Sequence, residues 1–428
     1  MREVKYFLFL EGRLSLEVFL VLHHFTPSEP LLPNLKTLQF SPITAELVPS
    51  ILLLTSPGTA DISIGFIGPG IPKALVASMI TTFPTRCPTL RQISLYSLPR
   101  DPMITAAASE LLLTTNRNTL RSFRVDSPLA DEAREVICKL PDLCALTMVI
   151  ERDTPLPSLV LPNLRELVVN YNYDDDNLLQ MFHGATLEKM ESFIFTTLSQ
   201  QIGESPGAFE RAALAASIQN TLSVFSLFAL CPWNPTYSSL LPFTQLKKLV
   251  VEFSCIGGCS SGVDDDIIIN LARAMPKLEH LRLGDVPCRR IPTGVTAKGL
   301  VVLARHCPNL SDLCIHFQVA SLSAPPATTG MTSDAGSVAM WKDCALTHLE
   351  VGEIPVPEES VLVVALTLVR IFPHIKNISY MNEDWKKVKD AISLSKQIVD
   401  RSGKDPHLDT PRSNLSYDPS GATLEGGS

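Results

Sequence analysis

His280, Asp312 and His348 carry side chains that bind metals and move protons, and they hold equivalent places in successive copies of one short pattern. If those copies lie side by side as strands about 4.8 Å apart, the three side chains form a lateral row. Zinc chemistry is the sharpest use of such a row, since His and Asp are ordinary ligands. A ladder of alternating polar groups is the plainer use, and it is favoured, because a straight row does not converge donors into a tetrahedron. We therefore expect no metal here.

Other chemistry-bearing motifs are weaker. Cys255 and Cys259 flank Ile256-Gly257-Gly258 without the second pair that a zinc site needs. Asp264-Asp265-Asp266 lacks the alternating oxygen donors and closing Glu of a calcium loop, and it suits the start of a helix. Gly65-Phe66-Ile67-Gly68-Pro69-Gly70 has no Gly-Lys-Ser/Thr ending, and its prolines withhold N–H donors, so it reads as a turn and not a phosphate cradle. His306-Cys307 has the residue types of a nucleophile and its base. Neighbours in sequence are not neighbours in space, however, and a cysteine at that place in the pattern reads as packing. No catalytic, cofactor-binding or metal-binding residues are assigned, and the chain is expected not to be an enzyme.

The pattern that places these residues is Leu-x-x-Leu-x-Leu, often introduced by Pro-x. It runs from Pro33, Pro88, Pro162, Pro276 and Pro308, with weaker copies at Asp61, Leu120, Leu143, Leu187, Leu222, Leu246, Leu346 and Ile375. Copies start roughly 21 to 35 residues apart, in or just above the period of leucine-rich repeats. The last two apolar residues of each copy are two apart, so they share one face of a short strand, and the residue between them faces the other way. One unit cannot bury its apolar face alone and must stack on neighbours.

Apolar spacing predicts helices over 102–113, 130–140, 209–218, 297–306 and 360–371, with further helices after Asp174-Asp175-Asp176 and Asp264-Asp265-Asp266 and a closing helix over 385–398. The predicted fold is an α/β leucine-rich-repeat solenoid with irregular repeats. It is divided as an N-terminal helical cap over 1–30, a repeat domain over 31–395 with a flexible insertion at about 319–340, and a disordered tail over 402–428.

Composition narrows the function class. The chain has 428 residues, 45% of them hydrophobic, and a net charge of −8, which argues against general nucleic-acid binding. Its ten cysteines are scattered over all element types, and the apolar stretch Tyr6–Leu10 is too short for a signal-peptide core. Reduced thiols in a cytoplasmic or nuclear protein follow as the expectation, with no membrane partner.

The run Gly299-Leu300-Val301-Val302-Leu303-Ala304-Arg305-His306-Cys307-Pro308-Asn309-Leu310, with the partial copy Cys87-Pro88-Thr89-Leu90, resembles the cysteine-containing leucine-rich repeat of fungal F-box proteins. The resemblance spans roughly 25–395. It implies a ribonuclease-inhibitor-like horseshoe that presents substrates to an F-box-type ubiquitin ligase. No F-box is evident before Pro33, so the ligase's linker subunit is expected as a partner only where that module lies upstream. The Asn that usually follows the strand in this family is also mostly missing, Asn172 being the clearest candidate.

Recognition on such a scaffold falls to exposed residues between the buried leucines. The candidates are Lys248, Glu252, His280, Arg282, Asp312, His316, His348 and Glu350 on the concave face, with a protein as partner. The alternative is a GTPase-activating or other regulatory repeat protein, for which Arg289-Arg290 would offer an arginine to a phosphate. That group's acidic C-terminal tract is absent.

Overall fold

The computed structural model describes residues 3–7, 21, 30–66, 71–115, 118–151, 158–171, 185, 187–197, 218, 220–230, 237–254, 263–284, 294–323, 344–351, 354–380 and 382–402. Along them the chain lays down strands in strict spatial sequence. These are β1 (Glu3–Phe7), β2 (Thr37–Ile43), β3 (Asp61–Phe66), β4 (Gln92–Tyr96), β5 (Ser122–Pro128), β6 (Ala145–Ile150), β7 (Glu166–Tyr171), β8 (Ser192–Thr197), β9 (Val224–Leu230), β10 (Lys248–Ser254), β11 (His280–Leu283), β12 (Asp312–Ile315), β13 (His348–Val351) and β14 (Asn377–Tyr380). They form one 14-stranded sheet in the order β1 to β14, and neighbouring strands are parallel throughout.

Register aligns the apolar positions. Leu38, Ile62, Ile93, Phe123, Leu146, Leu167, Phe193, Phe225, Leu249, Leu281, Leu313, Leu349 and Ile378 are successive Cα partners, and all are buried. A one-residue slip at any strand would turn its apolar set to the opposite face, so the alternation itself pins the pairing.

The turn entering each strand from β3 to β14 repeats one geometry along the chain. One carbonyl accepts two successive N–H groups from the following repeat. Lys247 O takes Glu279 N and His280 N, Glu279 O takes Ser311 N and Asp312 N, and Ser311 O takes Thr347 N and His348 N, as Lys36 O, Ala60 O and Arg91 O do near the other end. Leu278 N, Leu310 N and Ile375 N each close a turn onto the residue three before, with Pro276, Pro308 and Pro373 inside it. Proline suits that place because its φ is preset and its missing N–H is not called on.

Helices alternate with many of the strands. They are α1 (Val48–Leu54), α2 (Lys73–Arg86), α3 (Pro102–Thr114), α4 (Asp131–Ile137), α5 (Asp265–Ala274), α6 (Ala297–His306), α7 (Val319–Ser323), α8 (Val361–Ile371) and α9 (Asp384–Ser402). Neighbours pack together, α2 on α3, α5 on α6 and α8 on α9. The Asp264 carboxylate caps α5 by accepting from Ile267 N at 2.9 Å, as its position before the helix predicts. Asp265 ties α5 to the next helix. It accepts from Thr296 N, Thr296 Oγ1 and Gly299 N at 2.8, 2.6 and 3.0 Å. A Cβ at Gly299 would stand 2.5 Å from Asp265 Oδ1, which explains glycine there. Helix α9 closes the last repeat: Trp385 is fully buried, gives its indole N–H to Ile354 O at 2.9 Å, and meets Phe317 edge-on at 5.9 Å.

Three expectations change. Glu3–Phe7, predicted as part of a helical cap, is a strand on β2. A short apolar run suits either element, and the open edge of β2 offers backbone partners that only a strand can satisfy. The insertion at 319–340 begins with helix α7, whose Val319 and Leu322 are buried, while 324–343 lie outside the described residues. Helices α1 and α2 were not foreseen. In α2 the spacing Val76, Met79, Ile80, Phe83 carries the signal, masked by Pro84 two residues before the helix ends. The helices predicted after Asp174 and over 209–218 fall outside the described residues apart from Ile218, as do Cys255, Cys259, Arg289, Arg290 and 403–428.

Candidate functional site

Because alternate residues of a strand face opposite ways, each strand offers one set of side chains to the core and another to the open face of the sheet. On β10 the open set is Lys248, Val250 and Glu252; on β11, His280 and Arg282; on β12, Asp312 and Cys314; on β13, His348 and Glu350. Register makes two rows of them. Lys248, His280, Asp312 and His348 are successive partners, and so are Val250, Arg282, Cys314 and Glu350.

These side chains line a pocket of about 360 Å³ together with Ser226 and Phe228 of β9. Seven of the eight candidates from the sequence therefore share one cavity. His316 does not: it follows the end of β12, is partly buried, and is not part of the lining. The sequence reading passed over Val250, Ser226 and Phe228, although the same alternation that places Cys314 beside Arg282 and Glu350 puts them on this face.

Arg282 organises the second row. Its Nη1 donates to Glu252 Oε1 at 2.8 Å, and its Nη2 reaches across β12 to Glu350 Oε2. Burial pulls the guanidinium's pKa down, but the Glu252 bond and the neighbouring Cys314, Glu350 and Glu252 outweigh it, and the net direction is upward. The three side chains are roughly a quarter to a third exposed, so solvent screens the attraction and the group adds little to fold stability. Its consequence is geometric: a long flexible cation is held across three strands.

The first row is looser. His280 Nδ1 lies 3.4 Å from Asp312 Oδ2, with both side chains nearly half exposed, and His348 Nε2 lies 3.4 Å from Ser379 Oγ on β14. Lys248 is exposed and has no ion-pair partner among the described residues. Among those residues no group of three His, Cys, Asp or Glu side chains is arranged to hold a metal ion, and His280, Asp312 and His348 stand as successive register partners.

Cys307 is a packing residue. It is fully buried, and its thiol points to Ala272 O and Met275 O of the preceding repeat at 3.7 and 3.6 Å. Burial, with Cys344 adding to it, pushes the thiol up to about 12, and burial likewise pushes Cys138 up to about 12 and Cys87 to about 11. Thiols held so far above neutrality are poor nucleophiles. No helix among the described residues is long and apolar enough to cross a membrane. The sequence matches no family model, and no curated protein matches it.

Proposed function

We propose that this chain is a non-catalytic leucine-rich-repeat scaffold that binds a protein partner on the open face of β10–β13. The supporting observation is the convergence of Lys248, Glu252, His280, Arg282, Asp312, His348 and Glu350 from four successive strands onto one pocket. Those side chains project from a sheet whose register is locked by its buried ladder, so their spacing is preset before any partner arrives. Preorganisation of this kind lowers the ordering cost of association. By the resemblance of its cysteine-containing repeat, the scaffold serves as the substrate-recognition part of an F-box-type ubiquitin ligase, acting in the cytoplasm or nucleus.

A photo-crosslinking amino acid placed at His348, and as a control at Ser63 on β3, tests the surface. Discrete protein adducts are expected from the first position alone, and they should disappear when Arg282→Glu is added. Equal adducts from both positions would remove the assignment of the face. Capture of the ligase's linker subunit by the natural full-length protein tests the ligase role separately. Its failure would leave a scaffold without that assembly.

A further inference from the structure

The open face changes character between β7 and β10. Val168, Ile194, Ser226 and Val250 are successive register partners there, one from each strand, and Val224 and Phe228 flank Ser226 on β9. Together they make an uncharged, mostly aliphatic strip that runs across the strands. Ser226 and Val250 are buried, and Val168, Ile194, Val224 and Phe228 are partly exposed. The strip meets Thr147 on β6 and Arg282 on β11, and its β10 end opens into the charged pocket. One cation stands on its flank. Lys248, two residues before Val250 and the register partner of Val224, has no ion-pair partner among the described residues. On the other flank the Glu252 carboxylate already accepts from Arg282 Nη1 at 2.8 Å.

We infer that the strip seats an amphipathic helix of the partner, lying across β7–β10 with its apolar face down and a carboxylate against Lys248. This rests on the reading of the open face as a partner surface. Spacing selects the helix. Successive strands place their side chains about 4.8, 9.6 and 14.4 Å along the strip. Helix residues i, i+3, i+7 and i+10 share one face and lie about 4.5, 10.5 and 15 Å along the axis, within about 1 Å of those positions. Same-side residues of an extended chain fall about 6.6 Å apart and lose step by the third strand.

Backbone chemistry selects it too. The strands β7–β10 are interior, each already paired on both sides. An extended segment lying on their aliphatic side chains would find no backbone partner there, whereas a helix closes its own N–H and C=O groups. A helix about 10 Å across, centred on the strip, also brings its flanking side chains level with Lys248. An acidic group there meets the cation that no carboxylate of this face has taken, and a basic one would meet it with like charge.

Two displayed libraries panned on the full chain test the inference. One is randomised over the surface of a stable helical hairpin, and the other consists of linear segments without preset structure. Helical clones with apolar residues at i, i+3, i+7 and i+10 and an Asp or Glu beside the last are expected. Ile194→Arg should weaken them at least about 10-fold, as loss of an interface anchor does. Lys248→Glu should weaken them about 10-fold by charge reversal. Gln39→Arg, on the open face of β2, should leave them unchanged.

Enrichment only of linear segments with apolar residues two apart would overturn the helix, as would helical binders unmoved by Ile194→Arg or by Lys248→Glu. If such binders still lost affinity on Arg282→Glu, the partner surface itself would stand. Binders indifferent to every substitution, or no enrichment at all, would count against both. A dimer of the chain in sedimentation that Ile194→Arg dissolves would assign the strip to a second copy and overturn the partner helix. Unchanged circular dichroism melts verify that each variant is folded, and Ile194→Ser replaces Ile194→Arg if that one is not.

Discussion

Two stretches of the same open face, β4–β7 and β10–β13, use a similar device to different ends. In each, an arginine reaches over one strand to a glutamate two strands away: Arg124 Nη2 to Glu166 Oε2 at 2.6 Å, and Arg282 Nη2 to Glu350 Oε2. Around Arg124 the two rows are otherwise small or uncharged: Gln92, Ser122 and Ala145 in one, Ser94, Thr147 and Val168 in the other. Ser94 and Ser122 are buried. Within those rows the charge is matched one to one, and Asp126, two residues beyond Arg124 on β5, spends its carboxylate on Ser97 N and Leu98 N. Around Arg282 a second carboxylate, Glu252, joins the guanidinium, and Lys248 is left over at the other end of the pocket. A polar group on a rigid face is common. A polar group whose charge is not spent within the molecule is what the proposed partner surface would use.

The core should not distinguish the two stretches. Phe123→Ala in β5 and Leu281→Ala in β11 both cut the buried ladder, and each is expected to cost about 2–5 kcal/mol in urea unfolding. A near-zero effect in either would mean that the ladder is not shared. Next in size is Asp265→Ala, which removes an acceptor of three bonds between α5 and α6 near the charged stretch. A loss of about 2 kcal/mol is expected from charged hydrogen bonds of this kind. Gly299→Ala should destabilise too, since its Cβ would enter the Asp265 carboxylate.

Arg282→Ala against Arg124→Ala sharpens the contrast most. Both should change stability by only about 1 kcal/mol or less, since both ion pairs are partly exposed. Binding of any ligand captured by the β10–β13 face should fall about 10-fold with the first and stay level with the second. Equal losses would make the two arginines equivalent and the distinction empty. The smallest effect is a null one. At pH 8 a thiol held at about 12 is ionised to about one part in ten thousand, so native Cys307 and Cys138 should resist iodoacetamide and react after denaturation. Site-resolved mass spectrometry reads this directly.

Much of this architecture is legible in residue types. Alternation in Leu249-Val250-Val251 or Leu281-Arg282-Leu283 assigns faces, and the predicted row Lys248, His280, Asp312, His348 is the observed register. The helices over 102–113, 297–306 and 360–371 match α3, α6 and α8 to within a residue or so. What was missed has specific causes. Pro84 disguised α2, and the N-terminal apolar run carried no mark of whether it would pair or coil. His316 follows the same alternation as its neighbours, but the strand ends at Ile315, and beyond that end the two-residue period no longer assigns a face.

Spacing of leucines is enough to set which side chains are buried, because burial depends on a local period and on nothing distant. Pairings between charges are another matter. Glu252, Arg282 and Glu350 stand 30 and 68 residues apart, and whether the guanidinium takes one carboxylate or two depends on side-chain reach across three strands. Nor does any local period say that Lys248 is left without a carboxylate among the described residues. That surplus arises only when the strands are laid side by side, because it is a sum over neighbours that the chain brings together from four repeats.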